Sequence, residues 1–303
     1  MRLPTILLEG RKLPRTIFSV QTPPSLRERE IDPLMKKAYE LGAWCFDLPS
    51  AKHLESFKEL KSLTMDETLI GINHLEVETG LSYLGRPLHQ FESKIISTIK
   101  KELVPSHLPR NILPPSSSTE VFTQKETDRI VFDPLRFDKA FSLFDPKESP
   151  FLLVGEKYGD WLLALGRIDL LHGMVLKVRE KGFIPIFSGR WATFVLPKAK
   201  PLDVAAYAVP INKKWSLFDL QQAARLIKKF DKPVISLNPL ADGKLLKECE
   251  EAFSFLFDEL KVYALIAEIA SEEETSRIME ALKKFPSLNP PRKTGSPRPQ
   301  GEW

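Results

Sequence analysis

The chain has 303 residues, longer than most single domains but within reach of one barrel of alternating strands and helices. Its 43% hydrophobic and 28% charged residues argue against wholesale disorder. The 44 basic residues nearly balance the 40 acidic ones, so bulk charge gives no support to nucleic-acid binding. No apolar run approaches the roughly 20 residues that cross a bilayer, the first residues lack a signal-peptide core, and Cys45 and Cys249 form no metal-like or redox-like spacing. The expectation is a cytoplasmic protein without membrane association and with two buried, reduced thiols. Abundant Lys and Glu with 25 prolines is a bias of heat-adapted proteins.

The first strand is predicted over Thr16 to Gln21 and stops at Thr22-Pro23-Pro24, because proline cannot continue a ladder. Ser25 to Leu41 carries apolar residues at Ile31, Leu34, Met35, Ala38 and Leu41 and ends on Gly42, the pattern of a helix with a glycine C-cap. Trp44 to Leu48 is strand two, and Pro49-Ser50 opens a helix with Leu54, Phe57, Leu60 and Leu63 on one stripe. Strand three is Thr68 to His74, nearly continuous in apolar residues, as a strand covered on both faces should be.

About 77 to 149 is an insertion, with a helix over Leu88 to Leu103, a Pro- and Ser-rich loop, PSHLPRNILPPSSS, and a short helix over Pro134 to Phe144. Phe151 to Glu156 is strand four and Ile168 to Lys181 its helix; Phe183 to Ser188 is strand five, followed by a weaker helix between Trp191 and Ala199. Val204 to Asn212 is strand six, and Ser216 is the expected cap of a helix running to Phe230, with a Trp215 to Leu220 staple. Pro233 to Leu237 is strand seven, with a helix inside Gly243 to Leu260. Val262 to Ala267 is strand eight, and Ser271 with Glu274 forms a capping box for the last helix.

Eight strands, each followed by a helical pattern, predict an α/β fold of the (β/α)8 TIM-barrel type as one domain over residues 1–285. A Pro/Arg-rich C-terminal tail occupies 286–303 and cannot build a core. A doubly wound open sheet would need a Gly-rich first turn, and Thr22-Pro23-Pro24 is its opposite.

Reacting groups in such barrels lie at the C-terminal strand ends. Those ends carry Gln21, Asp47, Asn73, His74, Glu156, Lys157, Ser188, Arg190, Asn212, Asn238 and Glu268. Asp47 is a carboxylate directly after a buried strand, although Ser50 is the expected helix cap. His74 suits acid/base work, and Lys157, if desolvated, suits proton donation or amine chemistry. Asp47, His74 and Lys157 are therefore the candidate catalytic set, and Gln21, Asn73, Arg190 and Asn212 the candidate substrate contacts. Each also has a bland reading, as a strand-end, capping or ion-pairing residue. Asp47, His74, Glu156 and Glu268 are an alternative metal-binding set, without any clustered Cys/His motif to support it.

The stretch NPLADGKL, Asn238 to Leu245, resembles the seventh-strand segment of the aldo/keto reductases, and VYALIAEIAS, Val262 to Ser271, is similar to their eighth strand and the helix start after it. The resemblance implies a TIM barrel, reduction of a carbonyl compound, and NAD or NADP held near Asn238, Leu240, Gly243 and Ser271. It also implies an Asp after strand two, a Tyr in the next loop, a Lys after strand three and a His after strand four. Asp47 matches the first. No Tyr lies between Asp47 and strand three, strand three ends in Asn73-His74, strand four ends in Glu156-Lys157, and Glu268 stands where the family has glycine.

Three functions follow as expectations. The first is a divergent, aldo/keto reductase-like oxidoreductase or carbonyl-processing enzyme with a small-molecule ligand in the barrel mouth. The second is a metal-dependent hydrolase or lyase. The third is a non-catalytic barrel that binds or assembles, with the insertion or the tail as an oligomer contact or the insertion as a lid.

Overall fold

The computed structural model describes residues 3–21, 31–102, 120–214 and 219–285. The eight expected barrel strands are present: β1 Thr16–Val20, β2 Cys45–Leu48, β3 Ile70–Leu75, β4 Phe151–Gly155, β5 Ile184–Ser188, β6 Ala206–Pro210, β7 Val234–Leu237 and β8 Ala264–Ile269. They pair in parallel in chain order, and β8 closes on β1 to complete the barrel. Side chains alternate along each strand. Ile17, Cys45, Ile72, Leu153, Ile186, Ala208, Ile235 and Ile266 therefore form an inner core, while the other face packs against the helices as a separate outer core.

The bottom of the barrel is closed by an antiparallel hairpin, Thr5–Leu8 with Arg11–Pro14, which the sequence reading missed. Glu9 (φ 48°) and Gly10 (φ 80°) make the tight turn, the left-handed pair that suits the twist of a two-residue hairpin. Ile6, Leu8 and Leu13 then point into the inner core. The X-Gly pair between alternating apolar residues was the available signal, obscured by Pro4 and Glu9.

Outside the barrel, α1 Ile31–Glu40 buries the expected Ile31, Leu34, Met35 and Ala38, and α2 Ala51–Thr64 buries Leu54, Phe57 and Leu60. Ser50 precedes α2 without capping it; its hydroxyl pairs with His53 Nδ1 at 2.8 Å. In the insertion, α3 Glu92–Glu102 and a short turn at Pro134–Asp138 match the expected helices in part. Three short antiparallel strands, Leu81–Tyr83, Arg86–Pro87 and Ile130–Phe132, were not foreseen. Strands this short carry no readable alternation, and their register comes from long-range pairing.

Further along, α4 Glu156–Ala164 starts immediately after β4, ahead of the expected α5 Ile168–Glu180. The weak helix is α6 Ala192–Ala199, with Pro197 inside it. Asp219 caps α7 Leu220–Lys229 by accepting from the Gln221 and Gln222 amides. The expected Ser216 cap, the Trp215 staple, Thr22-Pro23-Pro24, the Pro/Ser-rich loop and the tail lie outside the described residues. The single helix expected after β7 is broken into a 3-10 turn, α8 Cys249–Ser254 and a π turn over Phe255–Glu259. The wide turn sets Phe257 under the Arg15 guanidinium, 4.1 Å from the ring centroid. The last helix is α9 Glu272–Leu282. Both cysteines are free and buried, and no helix among the described residues is long and apolar enough to cross a membrane.

The hairpin plug is testable by face. Leu13→Ala empties a fully buried inner-core position and is expected to cost about 2–5 kcal/mol in urea unfolding. Leu7→Ala, at a position 68% exposed, should stay within about 0.5 kcal/mol of wild type.

Candidate functional site

The alternation that builds the inner core also selects the mouth. Ser19, Asp47, His74 and Glu268 each lie two residues beyond an inner-core residue, at Ile17, Cys45, Ile72 and Ile266, so they share the inward face at the C-terminal end. Glu268 pairs across the seam with Ser19, and Ser19 with Asp47, so these positions are contiguous around the rim. Glu268 is thus inside β8 rather than beyond it, as the sequence reading had it.

A hydrogen-bonded chain runs along this arc. Ser19 Oγ donates to Asp47 Oδ2 at 2.7 Å. Asp47 Oδ1 is 2.6 Å from His74 Nε2, and His74 Nδ1 contacts Glu156 Oε1. Asp47 is buried, and a buried carboxylate needs such partners to remain charged. Burial alone would push the His74 imidazolium down, but Asp47 and Glu156 outweigh it and hold the group up at about 10. The hydrogen bond to His74 holds Glu156 below the usual carboxylate range despite its partial burial. Glu268 is pushed up to about 7, first by burial and then by Asp242 and Asp47.

Glu156 reaches His74 through an unusual turn. Gly155 has φ 122° and Glu156 φ 46°, so the chain reverses sharply between β4 and α4. Above the pair opens a cavity of about 640 Å³, lined by Ser50, Glu78, Lys139 and Arg190 besides His74 and Glu156.

The other expected site residues divide. Arg190 lines the cavity, its backbone amide held by the buried Asp160 Oδ2 at 2.8 Å. Burial pushes the Asp160 carboxyl up to about 7, and neither Asp160 nor Ser19 was singled out from sequence. Ser19 was readable as the polar residue on the inward phase of TIFSV; Asp160 sits within a helix and gives no such signal. Lys157 lines the cavity too, and its ammonium pairs with Glu92 at 2.7 Å.

Asn73 is fully buried on the strand face opposite His74, so it turns toward the helix layer and away from the mouth. Gln21 extends β1, donating its amide to Ile269 O, and does not line this cavity. Asn212 is fully buried and braces loops, donating to Asn238 O and accepting from the Lys214 amide. The metal set is not assembled: both His74 ring nitrogens face carboxylates, and no group of three or more His, Cys, Asp or Glu among the described residues is placed to hold an ion.

At the other side of the mouth, the expected cofactor residues are turned on themselves. Asn238 Nδ2 donates to Asp242 Oδ1 at 2.7 Å and its Oδ1 accepts from the Asp242 amide. Leu240 is buried, and Gly243 (φ 78°) completes the turn. Ser271 Oγ accepts from the Glu274 amide, and Glu274 Oε2 accepts from the Ala270 amide, a variant of the expected capping box.

No family model matches the chain, and no curated protein matches it. Solved structures do. An aldo-keto reductase from Bacillus halodurans in its holo form superposes with a TM-score of 0.58 at 10% identity, covering 95% of this chain and 93% of that one. An aldo/keto reductase from Brucella melitensis gives 0.51 at 11% identity over 92% and 93%. The fold is that of the aldo/keto reductases. Asp47 and His74 thus stand in the last residues of the second and third strands, and Glu156 directly after the fourth, of an aldo/keto reductase-like barrel.

The His74 cluster carries a pH signature. Because folding raises the imidazolium from 6.5 to about 10, its contribution is complete below 6.5 and is lost as pH rises through about 10. Between these limits wild type is expected to lose stability relative to His74→Gln, by up to about 1.4 kcal/mol per pH unit. Parallel urea-midpoint curves for the two proteins would contradict the charged assignment.

Proposed function

We propose that the chain is a carbonyl-processing enzyme of the aldo/keto reductase type, in which Asp47, His74 and Glu156 do the proton work. The observation that carries this reading is an imidazole hydrogen-bonded to a carboxylate on each nitrogen at the wall of a cavity of about 640 Å³, on the barrel face where such folds place their chemistry. His74 stands where the family's strand-three lysine is expected and Glu156 where its histidine is expected, with no tyrosine between Asp47 and β3. His74 then takes the role of proton donor to a carbonyl oxygen. Asp47 fixes the ring through Nε2, and Ser19 fixes Asp47. The substrate class is a small carbonyl compound.

A dinucleotide does not fit the residues expected to bind it. Its diphosphate needs free N–H donors and a neutral or basic surround. The Asn238 and Asp242 side chains bond each other, Glu274 fills the start of α9, and Glu272 and Glu273 add negative charge beside it. The likeness to a reductase in its holo form supports hydride transfer as the second reading.

Both readings meet one assay. Aldehydes, ketones and hydroxycarbonyl compounds are incubated with the protein, with and without NADH or NADPH, and followed by NMR. At least one is expected to be turned over, with kcat falling about 10²–10⁴-fold in His74→Gln. Failure to turn over any carbonyl compound, or full activity in that variant, sinks the proposal; turnover that requires a dinucleotide favours the second reading.

A further inference from the structure

Glu156 is held by a backbone that a simple ion pair does not require. A left-handed conformation at a residue with a Cβ costs about 1–2 kcal/mol, and such outliers gather where a side chain must be aimed. Glu156 adopts one (φ 46°) directly after Gly155. The elbow GEKYG leaves no room for a side chain at either glycine without a shift. A Cβ on Gly155 would lie 2.5 Å from Ser188 O, and one on Gly159 would lie 2.9 Å from the Phe187 ring. The elbow leaves the Glu156 side chain 44% exposed at the cavity wall, in contact with His74.

The contact fixes which proton faces the substrate. Asp47 occupies Nε2, so Nδ1–H is the proton held by Glu156 Oε1 at the cavity wall. A carbonyl oxygen that takes the place of Oε1 on Nδ1 leaves the carboxylate beside the adjacent carbon, the arrangement needed to remove a proton from carbon while protonating the carbonyl oxygen.

Resting on the carbonyl reading above, we infer that Glu156 is a base toward carbon and that the site interconverts α-hydroxycarbonyl compounds by proton transfer. Glu156 removes the hydrogen on the carbon next to the carbonyl, and the C–H electron pair becomes the C=C bond. The carbonyl π pair takes the Nδ1 proton of His74, giving an enediol. In the second half the hydroxyl of the original α carbon returns its proton to His74 as that oxygen becomes the new carbonyl. Glu156 then delivers its proton to the former carbonyl carbon. Nothing is oxidised or reduced overall, and no cofactor enters the balance. The charge states agree, since Glu156 is ionised and His74 protonated at neutral pH.

The test uses the full chain in D2O near neutral pD, without dinucleotide, with dihydroxyacetone and glyceraldehyde as probes. 1H NMR follows loss of the α-proton signal and growth of the isomer. Wild type is expected to exchange at least one probe faster than buffer, and Glu156→Gln to be slower by at least about 100-fold. Glu156→Asp, which keeps the carboxylate on a shorter arm, should retain intermediate activity, and melting temperatures confirm that both variants fold. Exchange by Glu156→Gln at the wild-type rate, or no exchange of either probe by wild type, overturns the inference. If wild type turns over carbonyl compounds only with a dinucleotide and exchanges nothing, the inference fails while the carbonyl reading stands.

Discussion

Side-chain alternation on eight closed parallel strands is the constraint on which the site depends. Once Ile17, Cys45, Ile72 and Ile266 are committed to the inner core, the residue two further along each strand faces the mouth. Those residues are Ser19, Asp47, His74 and Glu268. The inner core thus sets which polar groups meet, and the hairpin carrying Leu8 and Leu13 closes its far end. The same packing makes the polar chain mutually dependent. Asp47 is tolerable in its buried place because Ser19 and His74 supply partners, and His74 remains charged because Asp47 and Glu156 outweigh its burial.

Much of the barrel was legible because each strand is a short apolar run bounded by turn residues, and each of the clearer helices keeps a stripe. Legibility failed where local pattern was not what decided the structure. The hairpin depends on a Glu9–Gly10 turn whose flanking alternation spans only a few residues. The small sheet in the insertion pairs Leu81–Tyr83 with Ile130–Phe132, far apart in sequence. The broken helix after β7 places Phe257 against Arg15, far away in sequence, a contact that no helical periodicity records.

At the site, adjacency in sequence misled. Asn73 and His74 both end an apolar run, but Ile70, Ile72 and His74 share one phase and Asn73 the other, so only His74 reaches the mouth. Glu156 and Lys157 are also neighbours. The left-handed turn sends the first to His74, and the second pairs with Glu92 in the insertion. The resemblance around NPLADGKL marked the right fold, and the structures of similar shape agree with it. Asn238 and Ser271 are engaged by acidic residues a few positions on, Asp242 and Glu274.

The arrangement of charge at the mouth separates the protonation states of groups that lie close together. Asp47, Glu156, Glu268 and Asp242 bring four carboxyl groups to one end of the barrel, and His74 is the cation hydrogen-bonded to two of them. Glu156, bonded to the imidazolium, titrates low; Glu268, facing other carboxylates from a half-buried position, rises to about 7; His74 rises to about 10. Divergent pKa values within one cluster are how a site holds an acid and a base ready at the same pH. In this barrel the separation follows from one imidazole placed between two carboxylates and a third carboxyl group left outside the pair. His74 and Glu156 therefore depend on each other, since the bond between them raises the imidazolium and lowers the carboxyl.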